Sequence, residues 1–123
     1  MPHVIVEYSA NLEDRLDVAE LVNDLHQVVA ASGVADIPAI RTRAARREHF
    51  RVGDGAPANG FVHITMRLRI GRPQETLNAL GQALLDAADK RLHDVYATHP
   101  VALTVEMHEI DQLTFRRNTL RAA

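Results

Sequence analysis

The chain has 123 residues, 46% of them hydrophobic and 24% charged, with 14 basic against 16 acidic side chains and no cysteine. That length can bury one core but is too short for two ordinary ones, and the apolar share excludes a disordered chain, so one domain over residues 1–123 is expected. A net charge of -2 gives no field that gathers polyanions, and without cysteine there are no disulfides, thiolate nucleophiles or zinc–thiolate sites. The N-terminus lacks a basic segment followed by an apolar one, and no apolar run nears the roughly 20 residues that span a bilayer. A cytoplasmic protein with no membrane contact is therefore expected.

From the N-terminus, His3 to Tyr8 alternates, with Val4, Val6 and Tyr8 on one face and His3, Ile5 and Glu7 on the other, as in a half-buried strand. Ser9-Ala10-Asn11 supplies cap-type residues, and Leu12, Leu16, Ala19, Val22, Leu25 and Val29 then recur at helical steps. The spacing predicts an amphipathic helix that closes at Ser32-Gly33, where glycine can take the left-handed conformation. Pro38 punctuates the loop before a second extended segment, Ile40 to about Val52.

The turn-rich stretch Gly53-Asp-Gly-Ala-Pro-Ala-Asn-Gly60 divides the chain, and after it the pattern restarts. Phe61 to Ile70 alternates, with Val62, Ile64, Met66, Leu68 and Ile70 on one face. Pro73 suits a first helical turn, and Leu77, Leu80, Leu84, Ala88, Arg91 and Val95 form a second helical stripe. Pro100 introduces a last strand, with Val101, Leu103, Val105 and Met107 on one face and Ala102, Thr104, Glu106 and His108 on the other. The fold class is α/β (α+β): two consecutive β-α-β units, about 2–52 and 60–110, in one four-stranded mixed sheet with both helices on one face. A tail, 111–123, follows without strong periodicity. The sheet's other face, with His3, Ile5, Glu7, Phe61, Thr65 and Arg67, is too apolar to be wholly solvated and too polar for a dry core, which points to oligomerisation. The same pattern fits the ferredoxin-like fold, which hosts many binding modules.

Pro2 follows the initiator methionine, and a small second residue permits methionine removal. A free N-terminal proline is a secondary amine, and burial or nearby positive charge would draw its pKa toward working pH, as a general base requires. Met-Pro openings are common, so this feature is weak by itself. Arg41 and Arg43 share one strand face, and Arg72 stands where strand gives way to helix. Guanidinium forks bind carboxylates through two parallel hydrogen bonds, so a small anionic substrate fits these residues. Glu48 interrupts the run Arg41, Arg43, Arg46, Arg47, Arg51 and no aromatic platform accompanies it, which disfavours nucleic acid. The seven histidines match no metal-ligand spacing, since His93 and His99 are six apart and His108-Glu109 opens no HExxH motif. His63, inside an alternating strand, is the one that could bear on assembly. No nucleophile elbow, phosphate loop or dinucleotide fingerprint occurs.

Four separate stretches carry a resemblance: the opening Met-Pro-His-Val-Ile-Val-Glu-Tyr-Ser-Ala-Asn, Ala39-Ile-Arg-Thr-Arg43, Gly60-Phe-Val-His-Ile-Thr-Met-Arg-Leu-Arg-Ile-Gly-Arg72 and Leu113-Thr-Phe-Arg-Arg-Asn118. Together they resemble the 5-carboxymethyl-2-hydroxymuconate delta-isomerase family of the tautomerase superfamily, essentially end to end. The resemblance implies a tautomerase-like fold, a homotrimer, no cofactor and a dicarboxylate or tricarboxylate substrate met in homoprotocatechuate (4-hydroxyphenylacetate) breakdown. It further implies Pro2 as the catalytic amine, Arg41 and Arg72 as substrate-binding and charge-stabilising residues, and Arg43 as a supporting one. The chain departs from the family at Pro73-Gln74, where a serine-type cap is usual. A phenylpyruvate-type tautomerase is the neighbouring alternative.

Overall fold

The structure is a computed structural model that describes residues 1–121. Its strands are β1 (His3–Ser9), β2 (Arg41–Arg47), β3 (Gly60–Arg69) and β4 (Val101–Ile110), and its long helices are α1 (Val18–Ser32) and α2 (Gln74–Leu92). The sheet order is β2-β1-β3-β4. β1 and β2 pair in parallel, as do β3 and β4, while β1 and β3 join the two units antiparallel. In a ferredoxin-like sheet another strand separates the parallel partners of each β-α-β unit. Here they pair directly, which rules that alternative out.

One face of the sheet is apolar because Val4, Val6, Tyr8, Val62, Ile64, Met66 and Leu68 alternate onto it, and all are buried. Leu21, Leu25 and Val29 of α1 and Leu77, Leu80, Leu84 and Ala88 of α2 complete that core. Both helices therefore lie on one face. His3, Ile5, Glu7, Phe61, His63 and Thr65 stay half-buried on the opposite, uncovered face.

Several boundaries differ from the expectation, each for a local reason. α1 begins at Val18, not in the first turn after Asn11. Leu12 and Leu16 are buried, but Ala10–Leu12 is a 3-10 turn, and extended Asp17 caps the true helix by accepting from the Glu20 N–H at 3.1 Å. Asn11 instead staples the mid-chain loop, donating to the Pro57 and Asn59 carbonyls. The closure at Gly33 is as expected, with φ 74°. β2 stops at Arg47, well short of Val52, and Ile70 lies beyond β3 with 58% exposure. Pro73 occupies the cap position before α2. Arg91 lies off the buried stripe, where its Nε meets Asp24 of α1 at 2.6 Å, while Leu92 fills the core position. Val95 is buried in a separate 3-10 turn.

Gly60 opens β3 where the chain folds over its own first turn. A Cβ there would sit 2.8 Å from Leu12 Cδ2 and 2.9 Å from Ser9 Oγ, so only glycine fits without displacing them. The Ser9 hydroxyl, buried in that contact, accepts from the Phe61 N–H at 2.9 Å. No helix among the described residues is long and apolar enough to cross a membrane.

Candidate active site

The start of β1, the start of β2 and the end of β3 meet at one end of the sheet, because β3 runs antiparallel to its neighbour β1. Pro2 lies there, buried, with Met1 half-buried before it. The Pro2 carbonyl accepts from the Arg41 backbone N–H at 3.1 Å, which ties the N-terminus to the beginning of β2. Register then puts His3 beside Arg41 and Ile5 beside Arg43, so both arginines fall on the uncovered face.

Arg41 and Arg72 are each held by backbone carbonyls. Arg41 Nη1 donates to Ala39 O at 3.1 Å. Arg72 Nη1 donates to Arg69 O at 2.9 Å, and its Nη2 donates to Val34 O just past the end of α1. Five N–H donors on a guanidinium leave each fork with several unspent. The loop after β3 is thus fixed by Arg72 itself, although Pro73 gives no side-chain cap to α2. Arg43 goes elsewhere: its Nη1 donates to His3 Nδ1 at 3.1 Å. Burial, followed by Arg43, Arg41 and Arg67, holds the His3 pKa below its ordinary value.

The terminal amine, carried here by Met1, sits in a concentrated positive field. Burial lowers its pKa most, followed by the guanidiniums of Arg116, Arg72, Arg41 and Arg69. Both effects disfavour the ammonium form. Arg41 and Arg72, picked out from the sequence, are therefore brought to the N-terminus. Arg69 and Arg116 were missed. Arg69 read as one more outward residue of an alternating strand, and Arg116 fell in a tail without periodicity; its only signal was the stretch Leu113 to Asn118.

The tail reaches this end because β4 finishes beside it. Ile70 N–H donates to Ile110 O at 3.2 Å, and the chain then runs back to the opposite edge, where Asn118 Nδ2 donates to Pro38 O at 2.8 Å. Residues 122 and 123 of the tail lie outside the described part. On the uncovered face, Glu106 accepts from His63 Nε2 at 2.6 Å and from His108 Nε2 at 2.9 Å. Those two hydrogen bonds, the one from His108 foremost, hold the Glu106 carboxyl below its usual range. His63 is thus bound into the open face.

Known proteins match this arrangement along its whole length. The family model for 5-carboxymethyl-2-hydroxymuconate isomerase matches residues 2–123. The Escherichia coli protein named 5-carboxymethyl-2-hydroxymuconate Delta-isomerase is 28% identical over 123 residues, covering 99% of this chain and 98% of that one. A crystal structure of a 5-carboxymethyl-2-hydroxymuconate isomerase from Deinococcus radiodurans R1 superposes with a TM-score of 0.90 at 27% identity, over 96% of this chain and 90% of that one. A fused 4-OT, described as a wild-type symmetric trimer, shares the fold with a TM-score of 0.68 at 20% identity, over 89% and 87% of the two chains. On the family match, the chain belongs to the 5-carboxymethyl-2-hydroxymuconate isomerase family and is an isomerase.

Proposed function

We propose that the chain, once Met1 is removed, converts 5-carboxymethyl-2-hydroxymuconate to its 2-oxo-3-ene isomer through the amine of Pro2. The observation that carries this reading is the half-buried N-terminus tied to the start of β2 by the Arg41 N–H, its amine pKa lowered by burial and then by the charges of Arg116, Arg72, Arg41 and Arg69. Removing Met1 moves that amine onto the buried Pro2, where burial and the same guanidiniums would disfavour the ammonium form, as a general base requires. No cofactor takes part in the reaction.

The neutral amine takes the proton of the 2-hydroxyl. The oxygen's electron pair forms the C2 carbonyl, the C2–C3 double bond shifts to C3–C4, and the C4–C5 pair receives at C5 the proton now held by Pro2. One group is therefore base and then acid. Arg41 and Arg72 bind substrate carboxylates and meet the negative charge on the 2-oxygen as the dienolate forms, a contribution of about 3 kcal/mol for a well-aimed donor. Arg43, hydrogen-bonded to His3, supports the arrangement from the uncovered face. The substrate belongs to bacterial homoprotocatechuate breakdown.

Intact mass of the purified protein is expected to lack Met1. Pro2→Ala, which keeps a terminal amine but loses the secondary one, is expected to lower kcat by roughly 10²-fold. The acidic limb of kcat/KM against pH is expected below the ordinary α-amino range, near 7.7–8.0 for an unperturbed group. Full turnover by Pro2→Ala defeats the proposal, and faster turnover of phenylpyruvate than of the muconate replaces it with a phenylpyruvate-type tautomerase.

A further inference from the structure

The substrate in that reading carries three carboxylates, two from the muconate chain and one from the carboxymethyl arm. Arg41 and Arg72 supply two forks. The third charge calls for another cation, and the strap after β4 holds one that can reach it.

The strap is a built element, although its described residues, 111–121, form no helix or strand. It leaves β4 at one edge of the sheet and is pinned at the other edge, beside β2. Crossing from edge to edge spans three strand spacings of about 4.8 Å each, within easy reach of extended chain at about 3.3 Å per residue. Both anchor points belong to the Pro2 end: Ile70, which bonds to Ile110, precedes Arg72 by two positions, and Pro38 precedes Arg41 by three. The segment between them therefore passes the strand ends that carry Pro2.

Its two ends are also locked. At the start, Leu113 N–H donates to Asp111 Oδ1 at 2.9 Å and the Thr114 hydroxyl donates to Asp111 O at 3.2 Å, which turns the chain. At the far end the Asn118 amide uses both of its groups, donating to Pro38 O and accepting from the Leu120 N–H at 2.8 Å. Arg116 lies between these locks, two residues from the second.

We propose that the strap delivers Arg116 to the Pro2 site as a third carboxylate-binding guanidinium, and that this residue selects tricarboxylate over dicarboxylate ligands. Asn118 is its positioning residue. The assignment deepens the isomerase reading and rests on it for the substrate. Among the charges acting on the terminal amine, Arg116 has the largest effect, ahead of Arg72 and Arg41, as a guanidinium facing the same small space would. Arg116 is exposed and outside the core, so its substitution leaves the packing of the sheet intact.

The test is titration calorimetry on the full-length protein with trans-aconitate, a tricarboxylate, and fumarate, a dicarboxylate, neither of which needs turnover to be read. Wild-type protein is expected to favour trans-aconitate. Arg116→Ala is expected to weaken trans-aconitate roughly ten- to hundred-fold while changing fumarate less than about threefold, the range for losing a charge-assisted hydrogen bond. Arg116→Lys should recover part of the loss, since it keeps the charge but not the fork. Asn118→Ala should act in the same direction and shift the acidic limb of kcat/KM on the muconate toward higher pH, because moving Arg116 away raises the pKa of the terminal amine, which loosened packing alone would not do. Equal loss on both ligands, no loss on either, or a wild type without preference overturns the assignment. Turnover of the muconate is measured in parallel: selective binding without turnover removes the isomerase reading and leaves Arg116 as the tricarboxylate selector.

Discussion

Arginine is useful in this site because it can be fixed and still have donors left over. Arg72 spends one N–H of each Nη group on the Arg69 and Val34 carbonyls, and Arg41 spends one on Ala39. These bonds hold the forks in place before any ligand arrives, and preorganised donors are worth most where charge develops in a site shielded from water. Arg72→Ala is therefore expected to lower kcat by roughly 10²-fold as well as raise KM. Arg72→Lys is expected to rescue little, because a single ammonium cannot hold two carbonyls and face a carboxylate with a planar fork. A change in KM alone would make Arg72 a remote carboxylate anchor. Arg41 and Arg72 were legible in the sequence as arginines at strand edges, and the family likeness singled them out. Arg69 and Arg116 were not, because nothing in an alternating strand or an aperiodic tail states which other element stands opposite.

Among the elements, β1, β3 and β4 followed their period closely, while β2 ended early and the helix starts were displaced. Alternation is enforced by burial on one face, so a single misplaced residue would expose the whole apolar set. A helix start carries no such penalty. Leu12 and Leu16 satisfy the core from a 3-10 turn and a bend, and the first helical N–H groups find their acceptor only at Asp17. Asp17→Ala is expected to cost about 1 kcal/mol of stability, read as a lower urea midpoint at unchanged m-value. Asp14→Ala, at the position a helix begun after Asn11 would use, is expected to leave the midpoint unchanged. Arg91 makes the same point at the other helix: its long side chain fits a stripe by spacing, yet it stays outside and pairs with Asp24 across the helix pair.

For the whole molecule, the uncovered face and the strap ask for a further copy of the chain. Ile5, Phe61 and Thr65 are only half-buried there, and Leu113 and Phe115 of the strap are 80% and 91% exposed. Exposed apolar surface of this kind, with the His63–Glu106–His108 network on the same sheet face, is what an interface between copies would cover. A trimer, expected from the family likeness, would cover it, and sedimentation equilibrium is expected to give three chains per particle. Thr65→Arg, at the middle of the central strand β3, is expected to shift that mass toward one chain, and an unchanged mass would place the interface elsewhere. The sequence by itself determined which residues face a core and that the chain repeats a β-α-β unit, because these follow from period along the chain, while the grouping of Pro2 with Arg41 and Arg72 came from the family likeness. Only the tertiary structure decided that β1 pairs directly with β2 and β3 with β4, which separates this fold from the ferredoxin-like one, and that the strap from β4 crosses to Pro38 at the Pro2 end of the sheet. Those are contacts between residues far apart in the chain, and periodicity, being local, carries no information about which edge a strand or a tail will meet.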